Sequence, residues 1–422
     1  MTPSARIQAA IEILDGLAKT AQPADRYLRD WFGARRYAGS KDRAGVAEHV
    51  FDVLRRRAYF AWLMGEGARA SMLASLLQNG QSPAEIESLF TGTQYAPASL
   101  TDEERARLSA EPKEEPPPHV RGEYPEWLEP ELTRNFGPDL AQEMSAILAR
   151  APVDLRVNPL RATREAILEG LRSLEVQCDA TPYSPYGIRV PSAKGLAALR
   201  HTQFFETGAF EIQDEGSQIA SILCGAKPGS NVLDLAAGAG GKSLALASIM
   251  QNRGDILAYD IDETRLKELR PRARRAGADI IRVTNKKGGP DWGKGKFEIV
   301  LADAPCSGSG TWRRSPEQKW RLTPERLAEL RRIQAEMLSE SARHVAGGGR
   351  LVYVTCSVLP SENEDIVAAF LARHPDFAIL PAADVWRAET GQEPPPGMGQ
   401  FFRASPLKCA TDGFFVCIMR AK

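Results

Sequence analysis

Two short apolar runs, each ending just before a cysteine, constrain this chain most. Ile299-Val300-Leu301 leads into Leu301-Ala-Asp-Ala-Pro-Cys-Ser-Gly-Ser-Gly310, with Cys306 inside it. Leu351-Val352-Tyr353-Val354 leads into Tyr353-Val-Thr-Cys-Ser357, with Cys356 inside it. Short, β-branched runs bounded by Gly, Pro and Ser read as buried strands of a parallel sheet. In open α/β sheets, ligands bind beyond the carboxyl ends of the strands. Cys306, Cys356 and Asp303 are therefore expected at one sheet edge, with thiol chemistry on a bound substrate.

The surrounding chain fits such a sheet. From about residue 206 onward, Val232–Leu235, Asp255–Tyr259, Asp279–Thr284, Phe297–Leu301 and Arg350–Val354 read as strands. Ser243–Met250, Glu263–Ala276, Pro324–Val345 and Ser361–Arg373 read as helices, the third closed by Gly347-Gly-Gly349. A last strand, Gly413–Ile418, ends the pattern. The alternation predicts a doubly wound, mostly parallel α/β sheet over residues 206–422.

Upstream the periodicity changes. Residues 1–90 are helical in pattern, with Ser4 as a cap and Ile7, Ile11, Leu14 and Leu17 on one face. Leu28, Trp31 and Phe32 form a second stripe, and Val46, Val50, Val53 and Leu54 a third, so a small bundle is expected. The pattern breaks over 101–122, and Glu111-Pro-Lys-Glu-Glu-Pro-Pro-Pro118 makes residues 111–122 a Pro/Glu linker, extended rather than helical. Residues 123–205 mix strands and helices, including a helix from Arg164 capped by Thr163, and predict a small α+β domain.

Bulk properties narrow the function. At 422 residues the chain holds two or three domains. Equal numbers of basic and acidic residues, 54 each, argue against indiscriminate nucleic-acid binding. The charge is uneven, however: residues 264–287 carry nine Lys/Arg against two acidic residues, a local basic patch. No apolar run approaches membrane-span length and the N-terminus lacks a signal-peptide pattern, so a cytoplasmic protein is expected. The six cysteines contain no CxxC pair, which disfavours a zinc site or a disulfide framework.

Asp234-Leu-Ala-Ala-Gly-Ala-Gly-Gly-Lys-Ser243 joins a strand to a helix through small residues, where the backbone can approach a ligand. A phosphate-binding P-loop fails, because Ala236 stands five residues before Gly241. A dinucleotide fingerprint has its first half in Gly238-Ala-Gly240, but Ser243 replaces the third glycine. S-adenosylmethionine is the third option, and Asp260 at the end of the next strand would bind its ribose. A tight turn without a ligand stays open.

The motifs DLAAGAGGKS, YDID, ADAPCSGSGTWRRSPEQKW and YVTCSVLPSEN, in this order, resemble those of the RNA 5-methylcytosine methyltransferases of the Sun/Fmu/RsmB type. Arg156-Val-Asn158 and Gln213-Asp-Glu-Gly-Ser217 are similar to further family signatures. Arg36-Tyr-Ala-Gly-Ser-Lys-Asp-Arg43 resembles the NusB-like helical domain of the RsmB branch. The resemblance implies an S-adenosylmethionine-dependent Rossmann-like core at 206–422, an all-helical NusB-like RNA-binding domain at 1–110, and a small RNA-binding domain at 123–205. It implies methylation of carbon-5 of a cytidine, in small-subunit (16S) rRNA, by a monomer whose partner is RNA and not a membrane. The same reaction on tRNA or another rRNA site, or a non-catalytic ribosome-assembly factor, are the competing readings.

Cytosine carbon-5 is a poor nucleophile, and a thiolate added at carbon-6 makes the ring enamine-like. The resemblance gives that addition to Cys356 and release of the product to Cys306. Asp303 is assigned to the cytosine ring and the cofactor, and Lys242 to the base or the cofactor end. Ala236, Ala237, Gly238, Ala239, Gly240, Gly241, Lys242 and Asp260 are the remaining expected cofactor contacts. Family members place an acid for the adenine where this chain has Lys287. Trp312-Arg-Arg314 and Lys319-Trp320 suit stacking and phosphate contact with an unpaired base, with tryptophan packing the alternative. The Arg265–Arg275 run reads equally as a phosphate grip or a solvated helix face, and Asp262 as a helix cap.

Overall fold

The computed structural model describes residues 1–422 except 111, 113, 192–198, 287–291 and 293–296. Contacts divide the chain into two compact units. One comprises Met1–Ala149 with Trp312–Thr323, and the other Arg150–Thr311 with Pro324–Lys422.

The first unit is helical. Pro3–Leu17, Ser40–Arg55 and Ala68–Gln78 enclose a core containing Ile7, Ile13, Leu14, Val46, Val50, Leu73 and Phe60. The stripe spacing creates it, because every third or fourth residue turns inward. Its first helix is capped by Thr2, whose hydroxyl accepts from Ala5 N–H at 3.2 Å, rather than by Ser4. Asp102–Ser109 is also a helix, although the sequence pattern breaks there. Thr101 and Glu104 form a reciprocal capping box that the Thr-x-x-Glu spacing announces.

In the second unit, β1 (Val153–Val157), β2 (Asp179–Ala180), β3 (Gly187–Val190) and β4 (Phe210–Ile212) form an antiparallel sheet in the order β2-β3-β1-β4. The larger sheet contains β5 (Asn231–Asp234), β6 (Asp255–Tyr259), β7 (Ile281–Thr284), β8 (Phe297–Asp303), β9 (Val345–Thr355), β10 (Phe377–Leu380), β11 (Phe402–Ala404) and β12 (Phe414–Ala421). Its order is β10-β12-β9-β8-β5-β6-β7, with β11 pairing with β12. Strands β5 to β9 pair in parallel, while β10, β11 and β12 are antiparallel.

Both faces of this sheet are buried. Val232, Ile256, Ile299, Leu301, Val352 and Val354 pack into one core, while Leu233, Leu257, Val300, Leu351 and Tyr353 pack into the other. Period-2 side-chain direction turns a continuous apolar run into two cores. β9 starts earlier than the sequence suggests and runs through Gly347-Gly-Gly349. The register shifts between Phe297 and Ile299 opposite, so the glycines form an irregularity inside the strand rather than a helix stop. The chain order reverses between β5 and β8, and that switch point lies at their carboxyl ends. No helix among the described residues is long and apolar enough to cross a membrane.

Candidate active site at the carboxyl edge of the sheet

Four neighbouring strands, β6, β5, β8 and β9, deliver the candidate residues. β5 ends at Asp234 and turns into the helix Gly241–Ile249 through Gly238 and Gly240, at φ +53° and +85°. A Cβ on Gly240 would stand 2.0 Å from Leu269, so only glycine fits that approach. Asp260, just past β6, is buried and accepts from Gly238 N–H at 2.7 Å and Asp262 N–H at 2.8 Å. The carboxylate thereby fixes the glycine turn while lying at its edge. Beside it, Ile261 is an apolar side chain 88% exposed.

β8 ends at Asp303, whose carboxylate meets Lys242 Nζ at 2.6 Å across the switch point. Burial opposes the Lys242 charge, but the Asp303 charge and hydrogen bond outweigh it, with Cys356 and Asp234 adding to the effect. The ammonium is held above its ordinary range. Cys306 follows in the next turn and Cys356 comes directly after β9. Their sulfurs are 3.4 Å apart. The hydrogen bond to Cys356, then burial, then the Cys356 charge push the Cys306 thiol well above the usual range. The structure therefore brings Lys242, Asp303, Cys306 and Cys356 together, with Asp260 and the turn 236–241 on the same edge.

Asp234 is buried beneath the turn and accepts from Ser243 Oγ at 2.6 Å. Burial pushes it up to about 7, Asp303 adding and Ser243 and Lys242 opposing. A carboxyl raised above its unfolded value of about 3.9 stabilises the fold most below that value and loses this contribution as pH rises through the folded pKa. An Asp234→Asn variant is therefore expected to gain on the wild type between pH 5 and about 8, by on the order of 2 kcal/mol. Urea unfolding at both pH values checks this; a constant difference refutes it.

The flanking signatures are scaffolding. Buried Arg156 donates to Gly241 O at 2.6 Å and to Gln213 Oε1, tying β1 to the cofactor-side helix. Asn158 donates to Gly208 O at 2.9 Å and Ala276 O at 2.8 Å. Asp214 caps the helix Glu215–Leu223, and Glu215 accepts from Tyr183 and Ser184 N–H at 2.8 and 2.7 Å.

Several expectations change. Trp312, Arg313 and Lys319 are 1%, 5% and 1% exposed within the helical unit, so they do not offer stacking faces or cations to a base. Lys319 Nζ donates to Arg55 O at 3.0 Å, and burial pulls it down to about 8, with Glu123 opposing. Packing, the alternative reading, is what Trp312 does, while Arg314 and Trp320 are half-buried. In the basic run, Arg272 and Arg275 pair with buried Glu211 of β4, and Asp262 caps its helix through Thr264 N–H at 2.9 Å. Cys178, Cys224, Cys409 and Cys417 are buried. Lys287 lies outside the described residues. Sequence reasoning did not single out Glu362 or Gln334, both fully buried behind the cysteine turns. Ser361-Glu-Asn363, inside the quoted motif, was the available signal.

Residues 221–420 match the family model of the 16S rRNA methyltransferase RsmB/F, and residues 124–196 match the ferredoxin-like domain of RsmF/B-like methyltransferases. The chain is 33% identical over 303 residues to the probable ribosomal RNA small subunit methyltransferase B of Bacillus subtilis, covering 71% of this chain and 66% of that protein. It is 32% identical over 294 residues to the small subunit methyltransferase B of Yersinia pseudotuberculosis, covering 69% and 65%. The alignments thus span just under two thirds of these relatives' lengths. The crystal structure of PH0851 superposes with a TM-score of 0.79 at 25% identity, covering 99% of each chain. A methyltransferase homologue from Pyrococcus horikoshii superposes at 0.60 with 26% identity, covering 72% of this chain and 98% of that one. The motif order, the sheet order and both matched segments agree: the chain belongs to the RsmB/F methyltransferase family.

Proposed function

We propose that this protein uses S-adenosylmethionine to methylate carbon-5 of a cytidine in RNA, in the small-subunit (16S) rRNA, through a covalent bond between Cys356 and the base. The supporting observation is the cysteine pair, 3.4 Å apart, beside the Lys242–Asp303 ion pair at the switch point. The left-handed glycines let the turn close tightly after β5, buried Asp260 suits ribose hydroxyls, and exposed Ile261 suits the face of an adenine. Residues 236–242, Asp260 and Asp303 are assigned to the cofactor. S-adenosylmethionine supplies an electrophilic methyl group there.

The Cys356 thiolate adds to carbon-6, forming a C–S bond and moving ring electrons toward carbon-5. Asp303 accepts from the exocyclic amino group, and the Lys242 ammonium offsets the charge delivered to the ring. Cys306 stays a thiol while Cys356 is free, because its hydrogen bond and its charge both hold the proton on. Once Cys356 is bonded to carbon, both influences end and Cys306 can ionise to solvent. Its thiolate then takes the carbon-5 proton, that bond's electrons restore the ring double bond, and the C–S bond breaks to free Cys356. The helical segment 1–110 and the segment 123–205 are assigned to RNA binding in a cytoplasmic monomer.

The test is transfer of tritiated methyl from S-adenosylmethionine to total bacterial RNA, with bisulfite sequencing of the product. Label in small-subunit rRNA at a bisulfite-resistant cytidine is expected. Label confined to tRNA would reassign the substrate, and none at all would sink the enzyme reading. Ile261→Asp is expected to weaken cofactor binding about tenfold, since burying such a side chain contributes about 1.5–3 kcal/mol. An unchanged calorimetric Kd would remove Ile261 from the pocket.

A further inference from the structure

The serines that follow the two cysteines meet on one buried carboxylate. Glu362 is fully buried in the turn Pro360–Glu362. Its Oε1 accepts from Ser307 N–H at 2.8 Å and from Gln334 Nε2 at 2.9 Å. Its Oε2 accepts from Ser307 Oγ and Ser357 Oγ, each at 2.5 Å. Gln334 donates as well to Pro305 O at 2.9 Å, next to Cys306. On the other side, Asn363 Nδ2 donates to Ser357 O at 2.9 Å. Among the described residues no cation pairs with Glu362.

A buried charge held only by neutral donors is expensive, and a neutral amide could serve most of the same bonds. The arrangement therefore needs a use for the charge itself. We propose that Glu362 is a positioning residue for the cysteine chemistry: its carboxylate clamps the turns after Cys306 and Cys356 to one point, with its negative charge facing Cys306. This rests on the cysteine-pair reading above. The groups facing Cys306 are Cys356 from the end of β9, Glu362 from the turn behind it, and Tyr353 from within β9, whose hydroxyl donates to Glu362 O at 2.7 Å. The hydrogen bond to Cys356, burial and the Cys356 charge hold the Cys306 proton, and negative charge from Glu362 adds to them. The clamp sets where the two cysteine turns stand, and the Glu362 charge helps hold Cys306 as a thiol.

The test uses the intact protein without RNA or cofactor. Limiting iodoacetamide is applied from pH 6 to 11, and peptide mass spectrometry reads Cys306 and Cys356 separately. In Glu362→Gln the Cys306 midpoint is expected to fall by about one pH unit, a roughly tenfold faster alkylation at a fixed pH below it. An unchanged midpoint in the folded variant overturns the proposal. Glu362→Asp keeps the charge but shortens the clamp. Its Cys306 midpoint should match wild type while kcat for methyl transfer drops at least about tenfold with KM for RNA unchanged. If Glu362→Gln does not fold, Glu362→Asp decides alone: a fall of its Cys306 midpoint refutes the charge role. Because the titration needs no substrate, it stands even if the methyl-transfer reading fails.

Discussion

Methyl transfer is expected to disappear in Cys356→Ala, whereas Cys306→Ala should stall with RNA attached. Removing the attacking sulfur leaves carbon-5 unactivated, so the rate should fall by about 10⁴-fold or more, as when other covalent nucleophiles are deleted. Cys306→Ala keeps the sulfur that adds to carbon-6, together with Lys242 and Asp303 around it. It lacks the base assigned to the carbon-5 proton. The C–S bond should then persist through denaturation, giving a protein band of reduced mobility that ribonuclease collapses. The measurement is a denaturing gel after incubation with S-adenosylmethionine and RNA. An adduct from Cys356→Ala, or none from Cys306→Ala, would reverse or discard the assignment.

Gly310→Ala should cost about 3 kcal/mol and most of the activity, although its side chain adds a single methyl. A Cβ on Gly310 would lie 2.1 Å from Gly413 O and 2.6 Å from Gly413 Cα and C. These contacts are backbone atoms and cannot rotate away. Gly310 N–H donates to Cys356 O at 2.9 Å, and Gly413 N–H donates to Gly310 O at 2.8 Å. Three segments meet there: the end of β9, the turn carrying Cys306, and the start of β12. A shift of either cysteine turn that relieves the methyl moves one cysteine relative to the other. Gly347→Ala, where a Cβ meets nothing within 4 Å, is the control and should stay within about 0.5 kcal/mol. Equal melting and activity for both variants would remove this packing point from the account.

Legibility followed the range of the interactions. Strand cores were readable because period-2 burial on both faces demands unbroken apolar runs, as in Val300-Leu301 and Leu351-Val352. The Asp102–Ser109 helix is hidden in the sequence although Thr101 and Glu104 spell its cap, because the Pro/Glu run beside it carries the composition of an extended segment. Trp312 and Lys319 misled for another reason. Aromatic–cation pairing looks the same in sequence whether the groups face solvent or a core, and only packing decides.

By itself, the sequence determined the chemistry on offer: two cysteines and an aspartate after apolar strands, a glycine turn, and an acid after the next strand. Those are local patterns, set by backbone preference and side-chain period. Tertiary structure alone decided that β8 and β9 lie side by side, which puts two sulfurs 50 residues apart in sequence within 3.4 Å. It also decided that Glu362 stands behind both. Strand order and the pairing of buried polar groups are long-range choices, and no local spacing encodes which carboxylate the serines will share.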